Sequence, residues 1–289
     1  MGGTELVDAV RAIEKTLDGG VLGVAAVFLG TGERFDYGSD IEFPTASVIK
    51  APILAALLSS LADLPDPEAA AKERGIVVGA EDQVGGSGVL AHLAPGLTLS
   101  LADLAVLAIK LSDNTASNLC LRAAGGPDAV NRRLREDWGM PDTRIHRPIK
   151  FRLMPDDPPH TATGTPADMC HFMASVARRT LTDAAISTAV ERYLAMVHDA
   201  EMLPRYLDVN FYASDVRAGA AAFTVAHKPG AVVGVRNDAG IIRRGEDALA
   251  VCIYSQGCPD TVWTPAHRGA EAVARVSHAL CRTFFRNTP

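Results

Sequence analysis

The order of apolar runs predicts an α/β (α+β) fold in which strands from both ends of the chain meet in one mixed sheet and the middle forms an all-helical insert. Three observations carry this. A small-residue apolar run, Gly20–Leu29, lies near the start; helical periodicity dominates the centre; and three strand-like runs, Phe223–His227, Ala239–Ile242 and Ala248–Tyr254, precede a closing helix, Ala266–Phe285. At 289 residues and 48% hydrophobic, the chain can fill a sizeable core without a disulfide or metal.

Met1–Asp18 reads as an amphipathic helix with Glu5, Asp8, Arg11, Glu14 and Lys15 on its polar side. Gly20–Leu29 then reads as a buried strand, Thr31–Gly32 as a turn and Glu33–Tyr37 as its partner strand. Apolar periodicity makes Thr45–Leu64 and Leu99–Ala124 helical, the second ending at Gly125–Gly126. Between them Gly75–Gly96 is broken by glycines and reads mostly as loop. Pro127–Trp138 gives another helix, with Arg132, Arg133 and Arg135 as a solvated face. Pro141–Pro166 holds six prolines and reads as a long irregular loop, a length that in compact domains marks function or disorder. Pro166–Arg179 and Asp183–His198 return to helix. No repeat or interdomain linker interrupts this order.

Composition excludes several classes. With 28 Lys+Arg against 34 Asp+Glu the net charge is −6, which disfavours a phosphate-tracking face, so nucleic acid is not an expected partner. No apolar run reaches the ~18 residues needed to cross a bilayer, so neither is a membrane. The N-terminus lacks a basic n-region, an apolar h-region and a cleavage site, so the chain as written reads as cytoplasmic unless an export signal was trimmed. Five cysteines without C-x-x-C spacing read as reduced, mostly buried thiols. The eight histidines show no metal spacing, and no cofactor motif is present.

Three short motifs carry chemistry. In Ser47-Val48-Ile49-Lys50 the serine and lysine share a helix face, so a lysine desolvated enough to be neutral accepts the hydroxyl proton. About one S-x-x-K arises by chance in a chain this long, so the motif alone is weak. Pro52 requires the helix to begin near Ser47, which places the serine at its positive end. Ser112-Asp113-Asn114 interrupts an apolar helical pattern; it reads either as a proton relay with an amide ligand or as a helix cap. In His227-Lys228-Pro229-Gly230 the lysine can hold a carboxylate, Gly230 permits close backbone approach, and Pro229 fits an edge strand. The bland reading of that tetrapeptide is a strand-to-turn transition.

Together, in this order, the motifs match the S-x-x-K, S-D-N and K-T-G set of class A β-lactamases and penicillin-binding proteins. The chain resembles class A β-lactamases over about residues 5–286, including Phe43-Pro44-Thr45-Ala46-Ser47, Thr115-Ala116-Ser117-Asn118-Leu119, Gly125-Gly126-Pro127 and Thr165-Pro166-Ala167-Asp168-Met169. The resemblance implies a β-lactamase/DD-peptidase-like fold: an antiparallel sheet flanked by helices plus an all-helical subdomain. It implies one domain, with its α/β part at about 1–46 and 199–289 and its helical part at about 47–198. It also implies Ser47 as acylated nucleophile, Lys50 as activating partner and Ser112 as proton relay. Asn114, Lys228, Gly230 and Ala231 then bind substrate, with the amides of Ser47 and Ala231 as oxyanion hole. The implied partner is a small molecule (a β-lactam, ester or amide), the implied state a monomer, and no cofactor is needed.

Two departures bear on the reaction. Anchored on Thr143-Arg144-Ile145-His146-Arg147, the family's deacylating loop glutamate falls at Ile149 and its companion asparagine at Leu153. The loop's carboxylates are Asp142, Asp156 and Asp157, and Pro229 replaces the threonine of K-T-G. A β-lactam keeps its amine tethered after ring opening, so its acyl-enzyme should persist without that base. An ester or linear amide loses its leaving group and opens the other face to water. The expectation is a serine hydrolase, slow on β-lactams, that prefers esters or amides. The alternatives are a working β-lactamase with an atypical base, a penicillin-binding module, or a pathway acyltransferase. Gly85-Gly86-Ser87-Gly88 reads as a flexible lip of the cleft. Arg236 is a candidate for a substrate carboxylate, and an ion pair with Asp238 is the alternative. Loop roles for His146 or His160 are secondary to a surface position.

Overall fold

The computed structural model describes residues 3–64, 66–154, 156–157, 159–211 and 222–286; Met1, Gly2, Pro155 and Pro158 of the segments discussed above lie outside them. Helix α1 (Gly3–Glu14) buries Leu6, Val10 and Ile13, an i, i+4, i+7 stripe. Asp18, in the left-handed region at φ 53°, turns the chain into strand β1 (Val21–Phe28). Strand β2 (Arg34–Tyr37) pairs with β1, and the short β3 (Phe43–Pro44) leads to a 3₁₀ turn, Ala46–Ile49, that enters helix α2 (Lys50–Ser59). Every residue of α2 is buried, as suits a helix apolar all round.

After α3 (Pro67–Glu73), the expected loop Gly75–Gly96 begins instead as strand β4 (Gly75–Val78), paired with β5 (Leu97–Ser100). The β-branched run Ile76–Val78 meets Leu97–Leu99 across a ribbon whose sequence separation hid the pairing. The expected single helix Leu99–Ala124 is two, α4 (Leu101–Lys110) and α5 (Asn114–Ala123). Ser100 with Asp103 forms a capping box at the first, and Asp113 caps the second. Helix α6 (Gly126–Arg132) widens into a π turn at Arg133–Asp137. The long loop contains two short strands, β6 (Arg144–Ile145) and β7 (Ala162–Gly164), which pair with each other, β7 also pairing with β3. Helices α7 (Pro166–Ala177) and α8 (Ala184–Leu194) follow, capped by Thr165 and Asp183.

The last strands are β8 (Thr224–Val232), β9 (Val235–Arg244) and β10 (Asp247–Gln256), and α9 (Arg268–Phe284) closes the chain. The main sheet runs β2-β1-β10-β9-β8, so the two chain ends meet where β1 pairs with β10. Its pairs are all antiparallel, which corrects the mixed sheet expected from the order of runs. The reason is local. Two-residue turns join β8 to β9 and β9 to β10, with Gly234 (φ 70°) and Gly245 (φ 55°) supplying the left-handed positions. Helices α1 and α9 cover one face of the sheet, and α7 with the helical region covers the other. Residues Leu22–Phe28 of β1 are buried without alternation because that strand is covered on both faces. Strand β8 is an edge strand, the position its internal Pro229 requires.

Candidate active site

Ser47 sits on the 3₁₀ turn entering α2, half-buried, and the preceding backbone is held from two sides. Thr45 donates its N–H to the Ala162 carbonyl (3.1 Å) and Asn237 donates its side-chain amide to the Pro44 carbonyl (2.7 Å). Ala46 is fixed in the left-handed region at φ 49°, a conformation that a side chain tolerates only when its surroundings over-determine it. Edge strand β8 passes against this turn. A Cβ at Gly230 would stand 2.7 Å from the Ser47 nitrogen and 2.9 Å from that of Val48, so glycine is required there. Gly230→Ala should therefore displace the Ser47 amide and lower kcat by about 100-fold, the scale of losing one oxyanion donor. Steady-state turnover of an activated ester reads this out, and wild-type kcat in the variant would refute it.

Lys50 is buried, and its Nζ donates to the Ser112 carbonyl (2.5 Å) and to Asn114 Oδ1 (2.8 Å), with Ser112 Oγ at 3.2 Å. Burial holds its pKa well below that of a free lysine; the Lys228 charge pushes the same way and Asp113 opposes. Lys228 is likewise buried, donates to the Pro229 carbonyl (2.8 Å), and is lowered by burial to about 8, with Asp238 and Asp199 opposing. Among the described residues, neither lysine makes an ion pair. Burial of Lys50, with the Lys228 charge acting the same way, thus favours its neutral form.

In the Ser112-Asp113-Asn114 triplet the helix-cap reading holds for Asp113, and the flanking residues face Lys50. Ser112 adopts φ 52°, which breaks the helix and turns its carbonyl and hydroxyl toward Lys50. Asp113 caps α5 through Ala116 N–H (2.9 Å) and also accepts from the N–H groups of Val89 (2.6 Å) and Leu90 (2.9 Å). Asn114 donates its side-chain amide to the Gly85 carbonyl (2.9 Å) and its backbone N–H to the Ser87 carbonyl (3.0 Å). The lip at Gly85–Gly88, expected to be flexible, is accordingly laced to α5 at Gly85, Ser87 and Val89.

Arg236 and Asp238 do not pair. Strand alternation places them on the face opposite Asn237, whose amide reaches the nucleophile turn. The Arg236 guanidinium donates to the carbonyls of Val232 (2.9 Å), Val235 (2.8 Å) and Val262 (3.0 Å) and lies 4.7 Å from the Trp263 ring centroid, so it fastens the β8–β9 turn rather than entering the cleft. Asp238 is taken by His227 Nδ1 (2.9 Å) and the Leu203 N–H (3.1 Å). Ala231 is paired with Arg236 in the ladder, one residue beyond Gly230.

The long loop is shaped by its own polar groups. Arg147 donates to the carbonyls of Pro148 (3.1 Å), Lys150 (3.3 Å) and Pro159 (3.3 Å). Asp157 accepts from Lys150 Nζ and the Met154 N–H, each at 2.6 Å, and these bonds lower its pKa. Asp142 and Asp156 are exposed. His146 Nε2 lies 2.9 Å from Thr163 Oγ1, and His160 is exposed. At Ile149, the backbone N–H donates to Asn118 Oδ1 (2.9 Å) and the carbonyl accepts from Asn118 Nδ2 (2.8 Å), which seats this residue on the face of α5 that bears Asn114.

Sequence reasoning missed Asn118, Asn237 and the bracing role of Asp113. It also missed that Cys258, Asp260 and His267 bring donor atoms within 4.8 Å of one another. In that cluster Asp260 is held by Arg268 (2.6 and 2.8 Å) and His267 Nδ1 accepts from the Gly269 N–H (2.9 Å). These are the bonds of a brace at the start of α9. All five cysteines are buried free thiols, as expected. Among the described residues no helix is long and apolar enough to cross a membrane.

The profile of the β-lactamase enzyme family matches residues 5–284. A β-lactamase of Streptomyces fradiae is 37% identical over 133 residues, which make up 45% of this chain and 42% of that relative, so the match spans less than half of either. Among solved structures, the β-lactamase from Sphaerobacter thermophilus DSM 20745 superposes with a TM-score of 0.84 at 29% identity, covering 100% of both chains. A PBP-A mutant in acyl-enzyme complex with penicillin G shares the fold, with a TM-score of 0.81, 22% identity and 98% and 97% of the two chains covered. The strand order, the buried Lys50 against Ser112 and Asn114, and β8 against the Ser47 turn are thus found on a chain that belongs to the β-lactamase enzyme family.

Proposed function

We propose that this chain is a serine hydrolase that forms an acyl-enzyme on Ser47, handles β-lactams slowly and turns over esters or amides. The observation that carries the reading is the environment of Lys50. A neutral amine has two hydrogens and one lone pair. The Ser112 carbonyl and Asn114 Oδ1 accept only, so they take the two hydrogens and leave the lone pair for a hydroxyl proton. Ser47, one helical turn away, supplies that proton as it attacks, and Ser112 Oγ carries it onward to the leaving group. The Ser47 amide, facing Gly230, and the Ala231 amide stabilise the oxyanion, while Asn114 and Lys228 bind the substrate.

Slow turnover of β-lactams follows from the loop. Ile149 occupies the position expected for a deacylating glutamate, Asp157 is committed to Lys150, and Asp142 and Asp156 face solvent. The acyl-enzyme of a β-lactam keeps its amine over the Lys50 side and receives no activated water from the loop side. An ester releases its alcohol, and water then enters under Lys50. Intact-protein mass spectrometry over time tests this with a penicillin, a cephalosporin and an activated ester. Persistent mass gain with the β-lactams beside catalytic ester turnover is the expected result. Rapid return to the free mass while penicillin is consumed would overturn it.

The pH dependence has a defined sign. Lys50 must be neutral to act, and its burial, which holds its pKa well below that of a free lysine, favours that form. Lys228 must be charged to hold a carboxylate, and it loses that charge as pH rises through about 8. For an ester bearing a carboxylate, kcat/KM should fall above about 8. For a neutral ester that limb should be much weaker. Equal limbs for both esters would remove Lys228 from substrate binding.

A further inference from the structure

We propose that Asn237 is a positioning residue for acyl transfer: from strand β9 it fixes the Pro44 carbonyl and so sets how closely the Ser47 amide approaches edge strand β8. This rests on the acyl-enzyme reading above and adds the device that keeps its oxyanion hole in register.

Asn237 is fully buried, and both ends of its side-chain amide are committed. Nδ2 donates to the Pro44 carbonyl (2.7 Å), and Oδ1 accepts the Ser255 N–H of β10 (3.0 Å). Rotating the amide by half a turn would set oxygen against carbonyl and N–H against N–H, so a single orientation is dictated. In the β8–β9 ladder Asn237 lies opposite Gly230, the residue whose missing side chain admits the Ser47 nitrogen. One residue therefore belongs to the ladder that carries Gly230 and also grips the chain just before the nucleophile.

The turn needs such a grip. Ala46 stands at φ 49°, a strained conformation that persists only while its surroundings over-determine it. Two other contacts reach the same segment. The Thr45 N–H donates to the Ala162 carbonyl (3.1 Å) on β7, and the Phe43 ring meets Tyr254 of β10 edge-on, 5.8 Å between centroids. Of the three, only the Asn237 bond comes from the strand paired with β8. Without it the Pro44 carbonyl loses its partner, the turn can relax away from Gly230, and the Ser47 and Ala231 amides lose their common geometry.

Asn237→Ala should lower kcat for p-nitrophenyl acetate by about 100-fold, the scale of misplacing reacting groups by about 1 Å. KM should stay within about threefold, because ground-state contacts to this small neutral ester are untouched. Asn237→Asp separates bonding from shape. Its carboxyl keeps an oxygen for the Ser255 N–H; ionised, it opposes the Pro44 carbonyl, and protonated, it donates to it. Burial favours the protonated form and the Lys228 ammonium on β8 the ionised one, while Arg236 and the His227–Asp238 pair lie on the opposite face. The ratio of Asn237→Asp to wild-type kcat should therefore rise about tenfold as pH is lowered, the scale of one buried hydrogen bond, and the Asn237→Ala ratio should stay flat. Hydrogen exchange needs no turnover: the amides of residues 43–48 should exchange faster in Asn237→Ala, with α9 unchanged as the control for global folding. Unchanged exchange there, wild-type kcat in Asn237→Ala, or an Asn237→Asp ratio flat with pH overturns the proposal. Should Asn237→Ala fail to fold, the Asn237→Asp ratio decides alone. Faster exchange in a protein whose wild type hydrolyses no ester supports the brace, and then the acyl-enzyme reading alone fails.

Discussion

Ser47→Ala should take up no mass from a penicillin or an activated ester, and its ester turnover should fall by at least about 10³-fold, as when the nucleophile of a serine hydrolase is deleted. The result is informative because a second hydroxyl competes. Ser112 Oγ lies 3.2 Å from Lys50 Nζ, whereas Lys50 makes no hydrogen bond to Ser47 among the described residues. Distance to the base alone would therefore nominate Ser112. Three features favour Ser47. It stands at the start of α2, where free backbone N–H groups and the helix dipole stabilise negative charge. Its amide faces Gly230 at a separation that admits no side chain, leaving room for a substrate carbonyl along β8. And Ser112 sits on a strained left-handed residue whose carbonyl is already bound to Lys50. Peptide mapping of the adduct decides directly. A label on Ser112, or undiminished labelling in Ser47→Ala, would exchange the two roles. Ser112→Ala should still be acylated, more slowly, because it loses the relay and keeps the nucleophile.

Much of this site was legible because its motifs are local. Ser47 and Lys50 are three apart on one turn, Ser112 to Asn114 are contiguous, and Lys228 to Gly230 follow each other on one strand. The edge position of β8 was legible too, from Pro229 alone. What was hidden depends on pairing between distant segments. Strands β4 and β5 meet across a stretch whose glycines read mostly as loop. Arg236 and Asp238 were offered as an ion pair from proximity in sequence. Residues two apart in a strand do share a face, but Arg236 turns to the carbonyls of the adjoining β8–β9 turn and of Val262, and Asp238 to the His227 ring on the neighbouring strand. The stiffness of the lip was equally invisible, since Asp113 reaches Val89 and Leu90 over a span that no periodicity reports. Sequence thus gave chemistry types and their order, while bracing and orientation came from tertiary hydrogen bonds.

Ile149→Glu should convert a persistent β-lactam adduct into a turning-over one, with deacylation at least about 100-fold faster, the lower range for a positioned general base. The backbone at this position is already fixed, because Asn118 binds both its N–H and its carbonyl, so the new side chain starts from a defined place on the α5 wall. Partial burial would raise the glutamate pKa toward neutrality, and the Lys228 ammonium group would oppose that shift, leaving a carboxylate able to accept a proton from water near pH 7. Acylation should change little, since Ser47, Lys50 and Ser112 are untouched. Time-resolved intact mass with a penicillin measures the effect. An adduct whose lifetime stays at the wild-type value, in a variant that still acylates, would mean that the missing loop carboxylate is not what makes deacylation slow. Attention would then pass to Pro229, which lacks the hydroxyl of the family's K-T-G and leaves Lys228 donating to its carbonyl.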